Sequence, residues 1–282
     1  MLDWLTAHKI PLGTWVAAAI DWITTNAQGF FDVVTLVLGG ALDGIMAVLL
    51  FIPPLLFVAL AALGTWLLHR SIPLALGVLL GLLLIINLGF WQATIETLTL
   101  VLFATIVSVL VGVPVGIAAA HRPWLYTAIR PILDLMQTIP TFVYLIPTLI
   151  LFGLGMVPGL ISTVIFAIPA PIRLTHLGIS SVPAQLEEAG QAFGATRRQL
   201  TWKVELPYAM PTIMAGVTQC IMLSLSMVVI AALVGADGLG KPVVRALNTV
   251  NVGMGFEAGL AIVILAILLD RVCKRPEWRS RR

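Results

Sequence analysis

Charged side chains are scarce in this chain. Asp, Glu, Lys and Arg make up 10 % of its 282 residues, 60 % are hydrophobic, and the mean hydropathy is +1.05. Soluble domains carry about 25 % charged residues, so a water-exposed globular surface is excluded. Four stretches, 71–95, 97–120, 135–172 and 206–236, contain no charged residue at all. About 20 apolar residues suffice to cross a bilayer as a helix. Cysteine is nearly absent too: Cys220 lies in an apolar run and Cys273 in a basic tail, which excludes a disulfide framework. The apolar stretch at 10–20 is interrupted by Trp15 and followed at once by Asp21, so it is expected to remain attached rather than be cleaved as a signal peptide. The composition specifies an all-α, polytopic integral membrane protein.

Seven spans are expected, at 51–69, 72–91, 95–120, 132–154, 156–175, 211–236 and 255–271. With these spans, thirteen basic residues fall on one side: Arg70, Arg122, Arg130, Arg173, Arg197, Arg198, Lys203, Arg271, Lys274, Arg275, Arg279, Arg281 and Arg282. Only Lys9, Lys241 and Arg245 fall on the other. Cytoplasmic loops carry the Lys and Arg excess, so the N-terminus is expected outside and the C-terminus in the cytoplasm. The chain then divides into an extracytoplasmic amphipathic region (1–50), a membrane-spanning domain (51–271) and a basic cytoplasmic tail (272–282).

One segment, "GADGLGKP" at 235–242, has the G-x-x-x-x-G-K spacing of a phosphate-binding loop. That loop needs a Ser or Thr hydroxyl for Mg²⁺ in the next place, and here the residue is Pro242. The charge count also puts the segment outside, away from nucleotide. A glycine turn leaving the sixth span, followed by a short helix over 241–250, is the better reading. In the first 50 residues Asp21, Asp32 and Asp43 recur every eleven residues, about three helical turns, and so share one face. Thr25, Gln28, Thr35 and Gly39 continue the stripe. An amphipathic helix on the outer surface, packed on protein rather than on lipid headgroups, fits this acidic pattern.

The longest cytoplasmic loop, 183–207, contains "EEAGQAFGATRRQLTWKVELP". A helix from Pro183 to Phe193 should stop at Gly194. Thr196 and Gln199 have capping-box spacing and should open a second short helix that ends before Pro207. The result is a compact knob.

That loop resembles the EAA motif of ABC-type importer permeases, E-A-A-x₃-G-x₉-I-x-L-P. Glu188, Ala189 and Gly190 take the first three places, Gly190 replacing the usual second Ala; Gly194, Val204, Leu206 and Pro207 complete it. Residues 130–147, 209–217 and 225–240 further resemble the ProW-type permeases of glycine betaine, proline betaine and choline importers. The resemblance implies a type I importer-like permease whose permease domain is 51–271, set in a bacterial inner membrane, present as a homodimer and fed by an extracytoplasmic substrate-binding protein. Its knobs would dock on cytoplasmic ATPase subunits. It also implies that this chain is not an enzyme and holds no cofactor, ATP and Mg being used on the partner subunit. Glu187, Glu188, Ala189, Gly190, Gly194, Leu206 and Pro207 would then form the coupling surface, with Arg197, Arg198 and Lys203 as further contacts or as positive-inside anchors.

A quaternary ammonium has no N–H to donate, so aromatic faces and negative potential must recognise it. Trp91, Phe142 and Tyr144 are the aromatic candidates within the spans, with Gln137 and Gln219 as polar lining. Pro140 and Pro147 bracket Tyr144, and prolines free backbone that can line a cavity. Glu96 and Asp134 read as interfacial acids. An ion-coupled secondary transporter of small zwitterions is the alternative, but it calls for an inverted repeat and ionisable residues within the spans; the sequence shows no such repeat, and the span interiors are nearly free of charge. A carboxylate-pair enzyme at Asp134 and Asp270 is countered by the neighbouring Arg130 and Arg271. A gated channel leaves the knob without a purpose.

Overall fold

The structure, a computed structural model, describes residues 11–273, and every regular element among them is a helix. Backbone in hydrocarbon finds no water, so each apolar segment must bond its own N–H and C=O groups. In order these helices are α1 (Leu12–Phe51), α2 (Pro54–His69), α3 (Ile72–Asn87), α4 (Trp91–His121), α5 (Pro123–Thr138), α6 (Thr141–Phe152), α7 (Met156–Ala167) and α8 (Pro169–Ser180). They are followed by α9 (Ala184–Ala192), α10 (Arg197–Leu200), a π-turn (Thr201–Glu205), α11 (Leu206–Ala232), α12 (Gly240–Asn248) and α13 (Val252–Cys273).

Each expected span overlaps helix, but among the described residues five helices, or six with the bent α5–α6 pair counted as one span, are long and apolar enough to cross a membrane. That set includes α1, while α2 and α3, of 16 residues each, are shorter than the expected spans 51–69 and 72–91. Two further expectations need correction. The segment 132–154 is not a straight rod: α5 and α6 meet at 97°. Pro140 forces the break, because proline pushes the residue before it out of the helical region; Ile139 is extended, with ψ 131°. By contrast, the chain stays helical between α7 and α8 despite Pro169 and Pro171, since Ile168 keeps φ −59° and ψ −28°. The second correction concerns the knob. Its second helix does not end before Pro207 but widens into the π-turn, where the Leu206 N–H donates to the Thr201 carbonyl, and runs on as α11. Pro207 is the second residue of α11, directly after the π-turn.

The N-terminal region forms one continuous helix, α1, about 60 Å long at 1.5 Å per residue. It is also long and apolar enough to cross a membrane. It packs on α4, α6 and α7, with Leu42 buried against Ala104 and Leu160. Asp21, Asp32 and Asp43 all lie exposed along it.

The bundle centres on α4, α8 and α11. Glycine lets α4 approach α8 to backbone distance: a Cβ at Gly116 would stand 2.6 Å from Thr175 Cβ and 2.7 Å from the Ile172 carbonyl oxygen. Small residues at such crossings are the usual basis of helix packing in lipid. A second apolar cluster joins α2 and α3 (Val58, Val78, Leu82, Ile85) to α11 and α13 (Leu225, Val228, Leu265).

Candidate coupling knob and substrate path

Two contacts fix the ends of the bundle. At one end His121, closing α4, meets Glu205 of the π-turn, Nε2 to Oε2, at 2.7 Å. At the other, the Leu239 N–H donates to Thr97 Oγ1 at 2.8 Å. The knob therefore lies at the end opposite the 235–242 segment. In that segment Gly235 and Gly238 take positive φ, +89° and +127°, and α12 begins at Gly240. Lys241 is engaged by Asp237, and the Asp237 N–H is directed at Met156 sulfur. These groups form a turn against α4 and α7, not a phosphate cradle.

The knob is built as its residue types demand. Helix α9 stops because Gly194 adopts φ +76°, a left-handed conformation that side chains with a Cβ resist. Its N–H donates to the Gln191 carbonyl at 2.8 Å and that of Ala195 to Gly190 at 3.0 Å. Thr196 and Gln199 then form the reciprocal capping box that opens α10. Gly190, the departure from the motif, sits where a Cβ would lie 2.5 Å from Leu200 Cδ2. The missing methyl lets α9 rest on Leu200, which is buried.

Glu188, Ala189, Gly194, Arg197 and Arg198 are exposed on the knob, and Glu187 is half-buried. Leu206 packs at the root against Ile179, Ala209 and Ile213, while Pro207 is exposed beside it. Between knob and bundle lies a notch of about 630 Å³, walled by His121, Arg122, Glu187, Arg197, Arg198 and Glu205 among others. Two knob residues escaped the sequence reading: Phe193, 92 % exposed, and Trp202, 65 % exposed. Aromatic side chains left in water on a polar loop were the available signal. Glu205 and His121 were missed because they lie 84 positions apart.

The substrate-path residues fall in three places. Gln137, Phe142 and Tyr144 gather at the corner between α5 and α6, where the Tyr144 hydroxyl donates to the Met136 carbonyl and ties the corner together. Phe142 is exposed there, and Gln137 and Tyr144 are half-buried. Trp91 lies elsewhere, edge-on to Phe57 at 5.4 Å within the α2–α13 cluster. Gln219 is exposed on α11. Helix α5 is held to α8 by Arg173 on Asp134 at 2.6 Å and by Tyr126 stacked on His176 at 3.6 Å. Asp134 thus pairs across helices, with Arg173 rather than the nearby Arg130.

Such a unit can transmit movement. The knob continues into α11 without a break in the helix, reaches α4 through the His121–Glu205 pair, and carries exposed aromatic residues for a partner.

Comparison with known proteins agrees with this architecture. Residues 112–273 match the family described as "Binding-protein-dependent transport system inner membrane component". The chain is 50 % identical over 274 residues to the glycine betaine transport system permease protein OpuAB of Bacillus subtilis (strain 168), covering 97 % of this chain and 96 % of that protein. It is 47 % identical to the glycine betaine/carnitine transport permease protein GbuB of Listeria monocytogenes serotype 1/2a (strain 10403S), covering 93 % and 94 %. To the glycine betaine/proline betaine transport system permease protein ProW of Escherichia coli (strain K12) it is 44 % identical, covering 99 % and 83 %. Among solved structures, a chain of the inward-facing MetNI methionine ABC transporter superposes with a TM-score of 0.57 at 26 % identity, over 64 % of this chain and 94 % of that one.

Proposed function

The chain belongs to the family of binding-protein-dependent inner-membrane transport components, in its ProW-type branch, and from that premise we propose that it forms the membrane pathway of an ATP-driven importer of quaternary ammonium osmoprotectants. Glycine betaine, proline betaine and choline are the substrates of this reading. The observation that carries it is the knob: a capped two-helix projection, aromatic at its tip, fused to a central spanning helix.

Cytoplasmic ATPase subunits dock on Glu188, Ala189, Phe193, Arg197, Arg198 and Trp202. ATP and Mg²⁺ bind there, and this chain hydrolyses nothing. A second copy covers the exposed apolar row Phe142, Ile146 and Ile150 of α6, which recurs every four residues and so forms one stripe. An extracytoplasmic binding protein delivers substrate to the end bearing α12. The N-terminus lies outside and the C-terminus in the cytoplasm, following the thirteen-to-three distribution of basic residues. ATP binding draws the two knobs together and turns the pathway outward; reopening after hydrolysis releases substrate inward.

The test is uptake of labelled glycine betaine and choline into proteoliposomes that contain this chain, its ATPase and its binding protein. ATP-dependent accumulation is expected. Accumulation driven by an ion gradient without ATP would refute the proposal.

A further inference from the structure

The acidic stripe of α1 lies outside the knob. Its three carboxylates also differ in their surroundings. Asp32 opens into a cavity, of about 230 Å³, between α1 and the outer end of α6. Phe31 and Phe152 wall it, with ring centroids 5.2 Å apart and planes at 87°. Gln28 and Thr35 add polar lining. Among the described residues Asp32 has no basic partner. The cavity lies at the end of the bundle away from the knob, where the Gly155 N–H donates to the Val234 carbonyl at 2.9 Å.

A carboxylate beside two phenyl rings defines a chemical preference. An inorganic cation seeks a shell of about six or more oxygens, and half of this wall is hydrocarbon. A methylated ammonium is the reverse case: it has no N–H, spreads its charge over methyl groups, and gains from both aromatic contact and nearby negative charge. The cavity is smaller than the roughly 300–1,000 Å³ pockets that hold drug-sized ligands, which suits a compact headgroup.

We propose that Asp32, Phe31 and Phe152 form an outer-face binding site for a quaternary ammonium cation on the permease itself. The site prefers a net cation such as choline to a zwitterion, whose own carboxylate is repelled by Asp32. Gln28 and Thr35 are placed to hydrogen-bond a hydroxyl at the far end of the ligand. The biological occupant rests on the importer reading above; the chemistry of the site does not.

The test is equilibrium binding of labelled choline and tetramethylammonium to the permease–ATPase complex in nanodiscs, without the binding protein. Saturable binding of both is expected, with glycine betaine a weaker competitor. Asp32→Asn, which preserves shape, should weaken binding at least about tenfold. Phe31→Leu, which keeps apolar volume and removes the ring, should weaken it about two- to fivefold. Asp43→Asn should leave it unchanged. Co-purification of the ATPase checks that each variant folds. No saturable binding in the wild type, or an unchanged constant in Asp32→Asn, would overturn the site. Displacement of choline by low-millimolar NaCl or KCl, lost in Asp32→Asn, would overturn it in favour of an inorganic-cation site. ATP-driven uptake in matched proteoliposomes keeps the two ideas apart: uptake without direct choline binding removes this site and leaves the importer standing.

Discussion

Gly194 offers the sharpest test of the knob, because its role can be perturbed without a clash. A Cβ at this position meets no atom within 4 Å, so a side chain has room. Only the backbone objects: at φ +76° an L-residue pays about 1–2 kcal/mol, and a β-branched residue lies at the upper end. Gly194→Val should therefore lower the population of the docked turn relative to competing turns by a factor of about 5–30. Apparent affinity for the ATPase falls with that population wherever the turn is not otherwise held. Gly194→Asn should be milder, since Asn tolerates the left-handed region. Gly194→Pro should be worst: it needs φ near −65° and removes the N–H that bonds Gln191. The assay is titration of the ATPase onto the purified permease, followed by ATP-driven uptake. Membrane insertion should be equal in all four proteins. The order Gly, Asn, Val, Pro is expected in both readouts. Val indistinguishable from Gly, within about twofold, would refute the claim that the left-handed turn is required.

Other expectations follow from the same contacts. Glu205→Gln should leave ATPase docking intact while raising the ATP consumed per substrate imported, because the strut to His121 on α4 is weakened; an unchanged ratio would exclude that role. Phe193→Ala and Trp202→Ala should each weaken ATPase binding by about 1–2 kcal/mol, as exposed aromatics do when they become buried anchors; isothermal titration measures it. Gly116→Val should destabilise the bundle by about 1–3 kcal/mol through overpacking against Thr175 and Ile172, seen as a lower melting temperature of the purified complex.

Much of this was legible in the sequence where the physics is local. Gly194 as a helix stop, the Thr196–Gln199 capping box and the helix after Gly240 follow from residues within five positions of one another. The uncharged runs likewise mark helices, because hydrocarbon permits little else. What was not legible depends on distance. Pro140 and Pro169 look alike in sequence, yet one opens a 97° corner and the other leaves the chain helical as a single span from Met156 to Ser180. The difference lies in the packing around each: α8 is held on both sides by α4 and α11, while α6 presents an open face. Asp134 and Arg173 are 39 positions apart, and a nearer arginine drew the sequence reading away. The π-turn leaves no local mark beyond a proline that ought to have ended a helix.

That turn also sets an angle. Closing five residues on a wider ring than an α-helix would use inserts in effect one extra position, and each helical position advances the chain by about 100°. The knob is therefore indexed roughly a quarter-revolution around the axis of α11 from where an unbroken α-helix would carry it. Deleting a single residue between Thr201 and Glu205 would reset that index. Arg197, Arg198 and Phe193 would then swing to another compass bearing, with every residue of the proposed docking surface still present and its aim lost.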